Sequence, residues 1–297
     1  MDTVERALRL YGAPVYVRKQ IVHNKHVVDE LERRGAIFVD SVHEVPPDAT
    51  LVYSAHGVSP AVRDASAARR LNTIDATCPL VTKVHTQARR YADAGYTIAF
   101  IGHAGHEEVE GTMGEAPDAI VLVESVEDAR GVELPRDRPL AYITQTTLSL
   151  DETREIIDIL RARFPEIQAP AKEDICYATS NRQWAVKELL DEVDLFLVIG
   201  SANSSNSKRL VEVARAAGVA SHLVDDASEI DDAWLGDIET VGVTSGASAP
   251  ERLVREVCEW FRTRGVDDIS EFSSAFEDVV FRLPVELRRA QRSSAAA

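Results

Sequence analysis

The sequence predicts an α/β protein whose parallel strands alternate with helices. Three observations predict it. Helix-period stretches end repeatedly at glycine and pass straight into an apolar run. Strands alternating with helices of roughly 10–15 residues read as βαβ units in a parallel sheet. Reactive polar residues stand just after the apolar runs, where ligands bind in open parallel sheets.

Taken in order, Val4, Leu8 and Tyr11 form one helical stripe, and Gly12 then opens the run APVYV. The same punctuation places Gly35 before AIFVD, Gly95 before YTIAFIG and Gly218 before VASHLVDD. A glycine just past a helix end supplies a left-handed cap. Val81, Val84, Ala88 and Tyr91 make a second stripe, and Leu253, Val254, Val257 and Phe261 a third. Ser149, with Glu152 three residues on, reads as a capping box before the helix of Ile156, Ile157 and Leu160. Pro79 and Pro250 suit the first turns of helices, and Ser207 precedes the helical KRLVEVARAAG. The strands fall into three groups, over about residues 15–78, 97–147 and 174–245. VELPRDRP is a polar connection, FPEIQAPAKED the best boundary, and RRAQRSSAAA a frayed basic tail.

Composition excludes several classes. The 297 residues correspond to roughly two domains of about 150 residues. Apolar residues at 45% and charged residues at 28% exclude a disordered tail protein, a collagen and a small disulfide scaffold. No apolar run approaches the roughly 18–20 residues that span a bilayer. The first residues, MDTVERALRLYG, lack the apolar core of a signal peptide. Three cysteines give no disulfide framework, which points to the reducing cytoplasm. A formal charge of -16 opposes nucleic acid and anionic membranes as partners.

The loops at the strand ends carry the chemistry. They place His56, Cys78, His103, His106, Glu108, Thr146, Thr147, Asn203, Ser204, Ser205, Asn206, Ser245 and Ser248 after apolar runs. Almost no Lys or Arg accompanies them, so the expected ligand is an anion held by hydroxyls, amides, backbone N–H groups and imidazoles. Taken singly, each Ser, Asn or Thr could equally be a plain helix cap. Cys78 and Cys176 read as strand-to-helix junctions, where a thiolate serves as nucleophile or soft-metal ligand. Cys258 lies on an apolar helix stripe and reads as core. His23 and His26 could be a metal pair, or one solvated and one capping residue. Glu108 is the best acid–base candidate, against a plain first-turn glutamate. Neither GxGxxG nor GxxxxGK[ST] is present, which disfavours nicotinamide or ATP binding by those motifs.

YGAPVYVRKQIVHNKHVVDELERRGAIF, YSAHGVS, DATCPLVTKVH, GHAGHEEVEGTMG, TQTTLS, DICYATSNRQ, GSANSSNSKRL and GASAPE follow one another over about residues 2–290. Together they resemble the LytB family of 4-hydroxy-3-methylbut-2-enyl diphosphate reductases. The resemblance implies three small doubly wound domains in a trefoil around a central [4Fe–4S] cluster, here 1–79, 80–172 and 173–283, with 284–297 as a terminal segment. It implies reductive dehydroxylation of the allylic diphosphate to isopentenyl and dimethylallyl diphosphate, in the last step of the non-mevalonate isoprenoid pathway. It also implies ferredoxin or flavodoxin as the electron donor. By the same resemblance Cys78 and Cys176 are cluster ligands. His23, His56, His106, Thr147, Ser204, Ser205, Asn206 and Ser248 bind substrate. Glu108 is the proton donor, with Thr146 as its relay partner. The family's first cysteine lies in a turn after an initial strand. This chain starts inside the helix that follows, so an N-terminally incomplete first domain from a late start is expected, with an inactive paralogue as the alternative. Two other readings stay open: a binding or isomerising protein for phosphorylated small molecules, and a zinc hydrolase using His103, His106 and Cys78.

Overall fold

The computed structural model describes residues 1–275 and 279–295. Helix α1 (Asp2–Tyr11) leads into β1 (Val15–Arg18), α2 (Lys25–Arg33), β2 (Ala36–Val39), β3 (Thr50–Tyr53), α3 (Pro60–Ala68) and β4 (Asn72–Asp75). These strands form a parallel sheet in the order β2-β1-β3-β4. Next come α4 (Pro79–Asp93), β5 (Thr97–Ile101), α5 (Glu107–Met113), β6 (Ile120–Val123), α6 (Val126–Gly131), β7 (Leu140–Thr144) and α7 (Leu150–Arg163). Their sheet is also parallel, ordered β6-β5-β7. The third set is α8 (Tyr177–Glu188), β8 (Leu195–Ile199), α9 (Ser205–Ala216), β9 (Ala220–Val224), β10 (Val241–Ser245) and α10 (Glu251–Arg262). It gives the parallel order β10-β8-β9. Helix α11 (Val285–Ala295) returns to the first sheet and lies against α1 and β4.

The second and third sheets are covered on both faces, which is why their central strands β5 and β8 are buried along their whole length rather than alternately. Side chains still alternate in direction. In β5, Ala99 and Ile101 join the core under α7, while Ile98 and Phe100 join the core under α4. In β8, Leu195, Leu197 and Ile199 face α10, while Phe196 and Val198 face α9. The expected α/β architecture of three small doubly wound parallel sheets is therefore the observed one. The punctuating glycines Gly12, Gly35, Gly95 and Gly218 all have φ between 76° and 100°.

Strand order decides where ligands go. Chain direction across a sheet reverses between β1 and β3, between β5 and β7, and between β8 and β10. The carboxyl ends on either side of such a switch point leave a crevice. His23 follows β1 and His56 follows β3. His106 and Glu108 follow β5, and Thr146 follows β7. Ser204 and Asn206 follow β8, and Ser248 follows β10.

Several details differ from expectation. Ala7 is fully buried beside Val4, whereas Tyr11 stands beyond the last packed turn and is 41% exposed. Helix α9 starts at Ser205, earlier than KRLVEVARAAG implied, because the Ser204 side chain caps it by accepting the Ser207 N–H. Pro250 is the residue before α10 rather than in its first turn. No strand precedes Cys176: residues 173–176 are irregular, and the third sheet begins at Leu195. The tail expected to fray is helical to Ala295, because Leu287 anchors it in the core of α1 and α2, and residues 296–297 lie outside the described residues.

Candidate functional site

The first sheet contributes two imidazoles. After β1 the chain turns at His23, and Asn24 caps α2 by accepting the Val27 N–H at 3.1 Å. Ser248 Oγ donates to the His23 carbonyl at 2.9 Å, which ties the loop after β10 to the loop after β1. Lys25 N–H donates to Ser201 Oγ at 2.9 Å, and Asn203 Nδ2 donates to Gln20 Oε1 at 2.7 Å, so the first and third sheets meet along this edge. His56 is held from the second sheet: its Nδ1 lies 3.1 Å from Glu107 Oε2, which also accepts from Ser54 Oγ at 3.3 Å.

His106 caps α5, its Nδ1 accepting the Glu108 N–H at 3.1 Å. That bond fixes the neutral tautomer with its proton on Nε2. The His23 and His56 rings stack at 4.2 Å and 19°, and His106 stands edge-on to both at 5.6 Å. Burial and the neighbouring rings push His23 down to about 4 and His106 down to about 3. At neutral pH both are uncharged.

Glu108 is fully buried within the second sheet's crevice. Its Oε1 accepts the Thr146 N–H at 2.7 Å and its Oε2 accepts Thr146 Oγ1 at 2.9 Å. Burial raises it to about 7 in spite of those two donors. The carboxyl therefore keeps a proton to donate well above the usual carboxylate range, up towards neutral pH.

Two of the three cysteines feel the charge of this carboxyl. Cys78 precedes α4 and Cys176 precedes α8, each at the N-cap. Burial pushes both thiols up, and amide N–H groups beside each sulfur oppose that shift. Cys78 also feels the charge of Cys176, and both feel Glu108. Soft thiolates stabilised by amide N–H groups are the donors an iron–sulfur cluster takes, so the pair fits two of its irons. Cys258 sits half-buried on α10, away from the strand-end loops.

At the third sheet the notable group is the Asn206 amide. The residue is 5% exposed, and neither Oδ1 nor Nδ2 has a hydrogen-bond partner. A buried amide left unpaired costs about 1–3 kcal/mol, which a ligand with matching groups would recover. Neighbouring polar groups are already engaged. Ser204 Oγ caps α9 and accepts Ser207 Oγ at 2.9 Å, and Ser205 Oγ donates to the Thr147 carbonyl at 3.1 Å. Thr147 Oγ1 accepts Gln145 Nε2 at 3.0 Å. Ser207 is wedged between Gly200 and Gly246, where any Cβ would collide with its side chain. Those two glycines let the loops after β8 and β10 close on one another.

The structure thus gathers His23, His56 and His106 in one cluster, and Glu108 with Thr146 in another. Ser205 and Ser248 bridge sheets rather than pointing freely. Glu107 was not singled out in the sequence. As a first-turn helical glutamate it looks like a dipole partner, and only the tertiary fold aims it at His56. His26 does not pair with His23; its Nε2 lies 2.9 Å from Asp226. The zinc grouping of His103, His106 and Cys78 is not formed. Among the described residues the group able to approach a metal is His23, His56 and Glu107, with ligand atoms within 4.8 Å. Its stacked rings point their in-plane lone pairs along nearly parallel planes, which suits two hydrogen bonds better than one shared ion.

These shifts set a stability profile. The depressed His23 and His106 cost nothing above pH 6.5. They cost stability as pH falls from 6.5 towards 4 and 3, because the unfolded chain then takes up protons first. Glu108 has the opposite sign: its cost grows as pH rises from 4.5 to about 7. We expect His106→Asn, which keeps a capping oxygen, to lose less thermal midpoint than the parent between pH 6.5 and 4. Parallel midpoint curves for the two proteins would refute the assignment.

Among the described residues no helix is long and apolar enough to cross a membrane. The family model for LytB protein matches residues 1–262. A 4-hydroxy-3-methylbut-2-enyl diphosphate reductase of Acidothermus cellulolyticus is 59% identical over 290 residues, covering 97% of this chain and 85% of that protein. A protein of Bradyrhizobium diazoefficiens, named 4-hydroxy-3-methylbut-2-enyl diphosphate reductase 2, is 56% identical, covering 97% of this chain and 93% of that one. The solved E-1-hydroxy-2-methyl-but-2-enyl-4-diphosphate reductase of Plasmodium falciparum superposes with a TM-score of 0.96 at 37% identity, covering 99% of this chain and 93% of that one.

Proposed function

The chain belongs to the LytB family, and we propose that it is an iron–sulfur 4-hydroxy-3-methylbut-2-enyl diphosphate reductase. In the reaction the allylic C–O bond breaks, two electrons and two protons enter, and water leaves with isopentenyl or dimethylallyl diphosphate. The observation that carries this reading is the buried Glu108 carboxyl, raised to about 7, held by Thr146 and near enough to Cys78 and Cys176 for its charge to act on both thiols. A reductive loss of hydroxyl needs a proton at the departing oxygen in a water-poor site, and Glu108 offers one.

A [4Fe–4S] cluster held by Cys78 and Cys176 would supply the electrons and a Lewis-acidic iron. The protein's own residues do the rest. Asn206 gives the diphosphate an amide donor, joined by the Ser204 and Thr147 hydroxyls, which only accept in the free protein, and by Ser205 and Ser248 once they turn from the carbonyls they now bond. His23 and His56 add imidazole N–H groups from the loops after β1 and β3, the latter held by Glu107. Neutral donors suit a chain of formal charge -16, because they bind an anion by direction rather than by net attraction. His106 faces the same space with its Nε2–H. Thr146 holds both carboxyl oxygens of Glu108, so the proton is aimed rather than free to rotate. The reading extends to domains at 1–79, 80–172 and 173–283 with a 284–297 terminal segment, to a ferredoxin or flavodoxin as electron donor, and to the reducing cytoplasm.

The test is anaerobic turnover of 4-hydroxy-3-methylbut-2-enyl diphosphate with a chemical reductant across pH 6–9. Both product diphosphates should form, and kcat should fall as pH rises through about 7, where Glu108 loses its proton. Failure to consume this substrate, or a rate that climbs through that range, overturns the reading.

A further inference from the structure

One ion pair between a half-buried lysine and a buried carboxylate lies outside the machinery described above and touches three parts of it. Lys83 sits on α4, five residues after the Cys78 cap. Its Nζ donates to the Lys172 carbonyl at 2.8 Å and the Glu173 carbonyl at 2.6 Å, and lies 3.0 Å from Asp174 Oδ1. Both accepting carbonyls and the paired carboxylate belong to the irregular segment that ends at Cys176. The Asp174 side chain is 0% exposed, and its Oδ2 accepts the Thr144 N–H at 3.1 Å at the end of β7. Two residues further on is Thr146, whose carbonyl accepts the Cys176 N–H at 3.1 Å.

We propose that Lys83 is a positioning residue: it presets the spacing of Cys78 and Cys176, and holds the strand end that carries Thr146, before any cofactor arrives. This rests on the reading that the two cysteines serve one group. Three facts favour it over an ordinary surface pair. Exposed ion pairs contribute little, but Asp174 is buried, and a buried carboxylate stripped of its partner is strongly destabilising locally. The segment before Cys176 has no strand ladder of its own, so its path depends on side-chain ties. Finally, Lys83 stands only about 7–8 Å along the helix from Cys78, at 1.5 Å per residue, so a shift at the clamp reaches the thiol with little loss.

Cluster-free full-length protein carrying Cys258→Ser has two thiols, and dibromobimane fluoresces only after alkylating both. The parent should cross-link intramolecularly. Lys83→Met should do so about tenfold more slowly, since misplacing reacting groups slightly is costly. Lys83→Arg should recover most of the rate. Thermal melts run alongside separate local from global damage: Asp174→Asn, which keeps an oxygen for Thr144, should slow cross-linking while staying folded. Equal rates in parent, Lys83→Met and Asp174→Asn overturn the clamp alone. Absence of cross-linking in the parent overturns the pairing of the cysteines, and the clamp with it.

Discussion

Glu108→Gln yields a folded protein that binds substrate and turns it over about 10²–10⁴-fold more slowly, the usual contribution of a positioned general acid. Glutamine is nearly isosteric. Its carbonyl still accepts the Thr146 N–H, and Thr146 Oγ1 can turn to accept from the new amide. What is lost is the acidic proton. The defect should therefore fall on kcat, with the Michaelis constant and the cluster absorbance close to the parent's. The residual rate should also lose its decline above pH 7. A second consequence has the opposite sign. The parent carries a buried carboxylate above about pH 7, and the variant does not, so the variant should melt higher on the alkaline side. Parental turnover with a stabilised alkaline melt would remove Glu108 from the chemistry while leaving its burial explained.

Asn206→Ala should raise the Michaelis constant roughly 10–150-fold, the equivalent of about 1.5–3 kcal/mol for a hydrogen bond to a charged group. The thermal midpoint should hold or rise. This pairing is unusual, because truncating a buried side chain ordinarily destabilises. Here both amide atoms are unpartnered in the free protein, so removing them breaks no internal hydrogen bond. Steady-state kinetics beside a melting curve decide the matter. A lowered midpoint with an unchanged Michaelis constant would make Asn206 an ordinary structural residue.

Much of this molecule was legible in its sequence, and what was legible was local. A glycine ending a helical stripe and opening an apolar run marks Gly35, Gly95 and Gly218 correctly, because helix caps and strand burial leave short-range patterns. Polar residues after those runs mark His56, Cys78, His106 and Glu108 for the same reason. Cys176 was misjudged as a strand-to-helix junction, since the tie that shapes its approach is Lys83, 89 residues from Lys172. The partnership of Glu107 and His56 spans 51 residues, and that of Ser248 with the His23 backbone spans 225. No periodicity encodes such pairings. They depend on how three sheets face one another, which the resemblance implied and the residues alone did not. The helix at the C-terminus was hidden by its charged composition; among the described residues Leu287 is the buried apolar side chain that joins it to the core of α1.

The switch-point arrangement has a consequence for how the molecule comes into being. Each sheet owns cores on its two faces, built largely from residues near one another along the chain. Those cores can collapse early, and the pieces of the first and second sheets leave a ribosome well before the third. The polar loops have no such independence. His23 emerges near the start, yet the serine that grips its carbonyl is Ser248. Contacts this distant in sequence are slow to form, because loop closure must be met before they return any energy. Binding competence therefore waits on the third sheet, since the loop after β10 must be made before Ser248 can reach the His23 carbonyl.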